Sequence, residues 1–321
     1  MRLLVVFAVV VGVLAAGCKK RQSKRVEPAP PPARCQEPGK RTCVRGDAVR
    51  CMTDGSFSRI EACAGGCRDG ACVDTCALHD IELIYVVDND SNLYSFDPRK
   101  LPGDPFHRIA KRACGETRTL NSMAVDRSGV AWLDYHSGVV HRASIVDGHC
   151  STPDSTPRGA PNNFGMGFVS DGPKATSEKL FVAGGGDTKS LAVLDTSDPP
   201  TWTAIGPLDE PEHPELTGTG DGRLFAYFPA PGRGFIEELD RTTARPIGKP
   251  WVLRDPASHV SAYAFAHWGG VFYVFTTVAK VGSVHAVHMD TGRQERLMTA
   301  LPMVIVGAGV STCAPLLERA P

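Results

Sequence analysis

The sequence predicts an all-β chain: a five-bladed β-propeller preceded by a small disulfide-rich module. Three observations carry that expectation. A four-part pattern of short runs recurs five times across residues 77–321, at intervals of about 43–50 residues, the range of propeller blades. Gly (33) and Pro (25) are abundant among 321 residues, which favours many turns over long helices. Eleven cysteines, six of them between Cys35 and Cys72, belong to an oxidising compartment and a disulfide framework.

Residues 1–17, MRLLVVFAVVVGVLAAG, place Arg2 before an apolar run from Leu3 to Ala16. That run is short for a bilayer span and matches the hydrophobic region of a secretory signal peptide. It ends in Leu14-Ala15-Ala16-Gly17-Cys18, which resembles the lipobox of bacterial lipoproteins. The resemblance implies lipidation of Cys18 and cleavage before it, although Ala15 stands where Leu is commonest. It also implies an outer-membrane or cell-surface address, because Lys19 follows where inner-membrane retention favours Asp. Removing Cys18 from the count leaves ten cysteines, enough for five bridges.

Residues 18–34 read as a linker. Six basic residues face one acid, Glu27, for a net charge of +5. Beside a lipid anchor each would add about 1 kcal/mol of attraction to anionic headgroups. Pro28, Pro30, Pro31 and Pro32 favour an extended, stiff segment. The whole chain balances 35 basic against 35 acidic residues, so residues 35–321 carry a net −6. That acidic body argues against nucleic acid as a partner.

Residues 35–76 form the cysteine-rich module, with Cys35, Cys43, Cys51, Cys63, Cys67 and Cys72 paired among themselves. Six cysteines allow 15 pairings, and their spacing does not choose one. Alternation around Thr53-Asp54-Gly55-Ser56 predicts a β-hairpin. The competing zinc site, Cys63, Cys67, Cys72 and Cys76, would need thiolates that an oxidising compartment consumes. No metal and no cofactor is therefore assigned.

Residues 77–321 carry the five units. Each contains a bulky run such as VAWLDY (130–135) or VFYVFT (271–276), preceded by a small-residue run such as GMGFVSDG (165–172). A third run follows, then a more polar fourth. Small residues suit crowded innermost strands, and bulky ones suit the faces between blades. The first unit lacks its small-residue run, while the chain ends with a spare one, VIVGAGVST (304–312). The spare run would complete the first blade and make Cys76 and Cys313 neighbours, predicting Cys76–Cys313. Cys114 and Cys150 end the fourth segments of the first two units, predicting Cys114–Cys150.

The phrases NSMAVDRSGVAW (121–132), FGMGFVSD (164–171), ELTGTGDGRL (215–224) and IVGAGVSTCAP (305–315) resemble a family of uncharacterised bacterial envelope lipoproteins. The resemblance covers roughly residues 80–315 and implies a secreted propeller-like domain. It implies no activity.

The candidate chemistry is sparse. Asp88-Asn89-Asp90-Ser91-Asn92 is rich in oxygen but lacks the glycine and distal glutamate of an EF-hand, and reads as a hairpin turn. The glycine-rich stretches lack the Lys-Ser/Thr of a phosphate loop, and no GxSxG elbow is present. Residues entering the innermost strands would line one mouth of a central channel: Asn121, Asn163, Glu215, His259 and Ser261. A glycosidase needs two carboxyl groups there. Glu215 is the one acid so placed, with Glu116 and Glu212 in more distant loops. The favoured expectation is a lipid-anchored binding module for an envelope protein, a surface glycan or an external ligand. The alternatives are a polysaccharide hydrolase or lyase and an outer-membrane assembly scaffold.

Overall fold

The computed structural model describes residues 34–44, 47–61, 67–73, 75–77, 81–115, 119–157, 159, 161, 163–184, 189–195, 200–210, 213–230, 233–254 and 259–317. The signal segment, Cys18 and the linker up to residue 33 fall outside these residues, as do Cys63, Glu116 and Glu212.

The chain is all β, with helix limited to three single 3-10 turns among the described residues. Arg41–Val44, Asp47–Cys51 and Phe57–Glu61 make a three-stranded antiparallel sheet. The expected hairpin turn is present: Asp54 accepts from the Ser56 N–H at 2.9 Å and its hydroxyl at 2.6 Å. Cys35 is bonded to Cys51 and Cys43 to Cys67. The expected pairing of the remaining module cysteines, Cys63 and Cys72, lies outside the described side chains.

Five four-stranded antiparallel sheets follow. Sheet I draws on both ends of the region, with Ile305–Val310 paired to Ile84–Asp88, then Leu93–Phe96 and Phe106–Ala110. Sheet II comprises Leu120–Val125, Val130–Tyr135, Val140–Ser144 and Cys150–Ser155. Sheet III comprises Phe164–Ser170, Glu178–Gly184, Ser190–Leu194 and Trp202–Pro207. Sheet IV runs through Glu215–Gly218, Leu224–Phe228, Phe235–Leu239 and Pro246–Val252. Sheet V runs through Ala262–Trp268, Val271–Val278, Val281–His288 and Gln294–Leu301. The first strand of each sheet is its innermost and the fourth its outermost.

The apolar cores lie between sheets, because the bulky second strands pack sideways. Phe96 of sheet I meets Tyr273 and Phe275 of sheet V at ring distances of 5.7 and 5.4 Å. Trp132 of sheet II meets Phe168 of sheet III at 5.9 Å, and Phe225 of sheet IV meets Phe272 of sheet V at 4.9 Å. Further cores join sheet I to II and sheet III to IV. Such edge-on aromatic pairs add about 0.5–1.5 kcal/mol each beyond their burial.

Small residues set the spacing of the innermost strands. A Cβ placed at Gly165 would collide with the Pro214 carbonyl, and one at Gly218 with the Phe168 carbonyl. Sheets III and IV therefore meet backbone to backbone. Gly309 serves the same purpose against Ala124, between sheets I and II.

Cys76 is bonded to Cys313, and Cys114 to Cys150. One detail differs from the sequence reading: Cys150 begins the fourth strand of sheet II instead of ending it. Fourth strands face solvent along most of their length, so no apolar alternation marks where they start.

Candidate functional site

Three of the five residues expected at the channel mouth, Asn121, Glu215 and Ser261, are engaged by neighbouring groups. Asn121 donates from Nδ2 to Asp134 Oδ2 at 3.0 Å and to the Phe164 carbonyl at 3.1 Å. The Phe164 N–H donates to the same Asp134 oxygen at 3.3 Å. The Ser122 hydroxyl donates to Glu215 Oε2 at 2.8 Å, tying sheet II to sheet IV past sheet III. Glu215 is 4% exposed and Asp134 is 0% exposed.

Burial pushes the Glu215 carboxyl well above its ordinary range, against the Ser122 hydrogen bond, and the Asp134 charge pushes it further. Burial likewise raises Asp134 well above the usual range, opposed by Asn121 and the Phe164 N–H. Two carboxyl groups that resist ionisation and lack solvent exposure act as a polar bolt across the innermost strands. Such a pair does not present an acid to a polymer. Ser261 donates to the Thr277 carbonyl at 3.1 Å, His259 is exposed, and the buried Asn163 Oδ1 has no hydrogen-bond partner. Sequence reasoning named Glu215 but missed Asp134, whose one signal is a lone acid inside the otherwise buried run VAWLDY.

The Asp88 loop is a turn in its hydrogen bonding. The Asp88 carboxylate accepts from the Asp90 and Asn92 N–H groups, from Asn92 Nδ2 and from the Tyr94 hydroxyl, at 2.8–3.1 Å. Its oxygens are occupied by donors. Asp240 behaves similarly at the end of sheet IV's third strand, accepting from Thr242 and Thr243.

At the opposite end of the innermost strands, Glu178 joins three parts of the chain. Glu178 Oε1 accepts from the Arg127 N–H at 2.7 Å, and Oε2 from the Thr312 hydroxyl at 2.6 Å. The Arg127 guanidinium reaches Thr75 Oγ1 at 3.2 Å and the Ala175 carbonyl at 2.7 Å. Burial lifts the Glu178 carboxyl to about 7, against both hydrogen bonds and with help from the Asp126 charge. A carboxyl raised on folding stabilises below its unfolded value and loses that contribution as pH rises through its folded one. From about pH 4, below the ordinary value, to about pH 8, above the raised one, the native state should therefore lose roughly 3 kcal/mol from this group. Glu178→Gln should make the slope shallower by that amount, leaving the parts due to Glu215 and Asp134; a denaturant midpoint profile that the substitution does not change would assign the pH dependence elsewhere.

The same end carries an open cleft of about 530 Å³ between sheets IV and V. Its apolar side includes Trp251, Val271, Met289 and the exposed Leu317, and its polar side includes Asp221, Arg223 and His267. The turns after the inner strands put them there. Arg223 is held by Glu238 at 2.6–2.9 Å and lies 4.8 Å over the Phe225 ring. Burial holds the His267 imidazole down to about 4, partly offset by Asp221, so it is neutral at physiological pH. Trp251 is fixed by its indole N–H, which donates to the Met289 carbonyl at 3.1 Å. The arrangement offers a flat aromatic edge, fixed charges and open space. No group of three His, Cys, Asp or Glu suited to a metal occurs among the described residues.

No family model and no curated protein sequence matches the chain. Solved structures similar to it include one from a nidogen/laminin complex, at 14% identity over 72% of this chain and 98% of that one, with a TM-score of 0.47. The Dos1 propeller is 12% identical over 72% of this chain and 71% of that one, with a TM-score of 0.36. The WD40 domain of SCAP from fission yeast is 12% identical over 70% of this chain and 57% of that one, with a TM-score of 0.31.

Proposed function

We propose that this chain is an exported binding module, anchored through a lipid on Cys18 and displayed at the outer membrane or cell surface. In this reading the five sheets are the blades of a five-bladed propeller closed by Ile305–Val310. The cysteine-rich module and the proline-rich linker hold it away from the membrane. Its ligand is another envelope protein, a surface glycan or an external molecule, taken on the face that carries the cleft between sheets IV and V.

The cleft is the observation that carries the reading. It combines apolar wall and polar groups in one open space, as ligand sites do. Among the described residues at the other end, the Glu215 and Asp134 carboxyl groups are enclosed and hydrogen-bonded, which keeps the expected acid Glu215 from reach of a polymer.

Two measurements test the two halves. Cys18→Ser should move the protein from the membrane fraction to the soluble one, and continued membrane association would overturn the anchor. Leu317→Glu with Asp290→Arg, both at exposed positions of the cleft, should abolish binding seen on a glycan array or by affinity capture with the mature chain. Unchanged binding by that double variant would place the ligand on another surface.

A further inference from the structure

We infer that the Asp134 and Glu215 carboxyl groups, where the innermost strands begin, form a binding site for one calcium ion. The site lies at the opposite end of the sheets from the cleft and does not depend on the binding reading. Strand register brings the two acids together. Asp134 pairs with Ser122 across adjacent antiparallel strands of sheet II, and residues so opposed share one face. The Ser122 hydroxyl donates to Glu215 Oε2 at 2.8 Å, so the carboxyl from sheet IV enters the space beside Asp134. The Phe164 N–H, 3.3 Å from Asp134 Oδ2, brings sheet III to the same place.

These bonds engage only half of the carboxyl oxygens. Asp134 Oδ2 receives both the Asn121 and the Phe164 donors. Its Oδ1 has no hydrogen-bond partner, although the residue is 0% exposed. Glu215 is bonded through Oε2 alone among the described residues. Asn163, directly before Phe164, holds a further buried oxygen without a partner, Oδ1. Buried acceptors are nearly always met by a ligand, a water or a donor.

The chemistry of these atoms selects the ligand. All are oxygens, which suit a hard cation and not a soft metal. Among the described residues no lysine, arginine or histidine acts on either carboxyl. Burial raises Asp134, and burial with the Asp134 charge raises Glu215. A water would hydrogen-bond the open oxygens but leave two buried charges unmet, whereas a divalent ion neutralises both. Calcium accepts carboxylate and amide oxygens in irregular arrangements, with water completing the shell. Magnesium demands a near-ideal octahedron and gives up its own waters reluctantly. Asn121 and Asn163 are half-buried, which gives the ion a way in from the strand entries.

The test uses the full mature chain, stripped of metal by a chelator, with calcium and magnesium chlorides as probes. Calorimetry should show one saturable calcium site, and calcium should raise the melting temperature more than the same concentration of magnesium. Asp134→Asn with Glu215→Gln keeps the side-chain shapes and an acceptor oxygen on each while removing both charges. Without calcium this variant should melt at or above the wild-type temperature, because no buried charge is left uncompensated. Its calcium affinity should fall about tenfold or more, since ligand charge sets affinity. Asp209→Asn with Glu237→Gln removes two acids from another acid-rich region, where the Asp209 charge acts on Glu237, and should leave calcium binding unchanged. No saturable calcium binding, an equal rise with magnesium, or full calcium affinity in the Asp134 and Glu215 double variant would overturn the site.

Discussion

Replacing Cys76 and Cys313 by serine should lower the free energy of unfolding by roughly 5 kcal/mol. The bridge spans 237 residues, and cross-linking so long a loop removes more freedom from the unfolded chain than any other bridge described. Cys114→Ser with Cys150→Ser, which opens a separation of 36, should cost roughly 4 kcal/mol by the same reasoning. Denaturant unfolding of the two double variants under oxidising conditions checks the order. A larger loss from the shorter bridge would show that native contacts, and not chain entropy, dominate. The Cys76 bridge also lies beside the Arg127–Thr75 hydrogen bond, so its removal should loosen the Glu178 cluster at the same time.

Gly165→Val should be the most damaging single substitution among the innermost strands, at about 3 kcal/mol or more, beyond the usual range for overpacking. The obstruction is backbone, the Pro214 carbonyl and Glu215 Cα, and no side chain can rotate away to relieve it. Displacing Glu215 would also strain its hydrogen bond to Ser122, so sheets II, III and IV would all be disturbed. Gly172→Ala supplies the contrast, since no atom lies within 4 Å of a Cβ there, and its effect should stay within about 0.5 kcal/mol. Thermal unfolding of both variants measures the difference; similar melting temperatures would mean that the innermost strands have slack.

Much of the fold was legible because strand chemistry differs by position. Phe272 and Phe275 are fully buried between sheets and advertised themselves in a bulky run. Gly307 and Gly309 did the same for an innermost strand at the chain's end, and the structure pairs that strand with Ile84–Asp88. Fourth strands were legible only as polar gaps. Pro246–Val252 is exposed at almost every position, so neither burial nor alternation fixes its limits in sequence.

The candidate sites were less legible for a different reason. Glu215 could be placed at the start of an innermost strand, but its enclosure depends on Ser122, which is 93 positions away. Asp134 reads as the polar end of a second strand until Asn121 and Phe164 are seen to converge on it. The cleft gathers residues from separate turns, near 219–223, 251, 267–271 and 288–290. None of those turns carries a motif by itself. Their proximity is a product of how sheets IV and V dock, through Trp251 on Met289 and Gln294 on Val252.

The bond between Cys76 and Cys313 has a topological consequence beyond its stabilising effect. It turns nearly the whole β region into a covalently closed loop that hangs from the N-terminal module at a single junction. A protease that cuts any one exposed turn between those cysteines opens the loop without freeing a fragment. The nicked protein would keep its mass on a non-reducing gel and separate into two pieces only after reduction. One cut is then damage that the architecture absorbs.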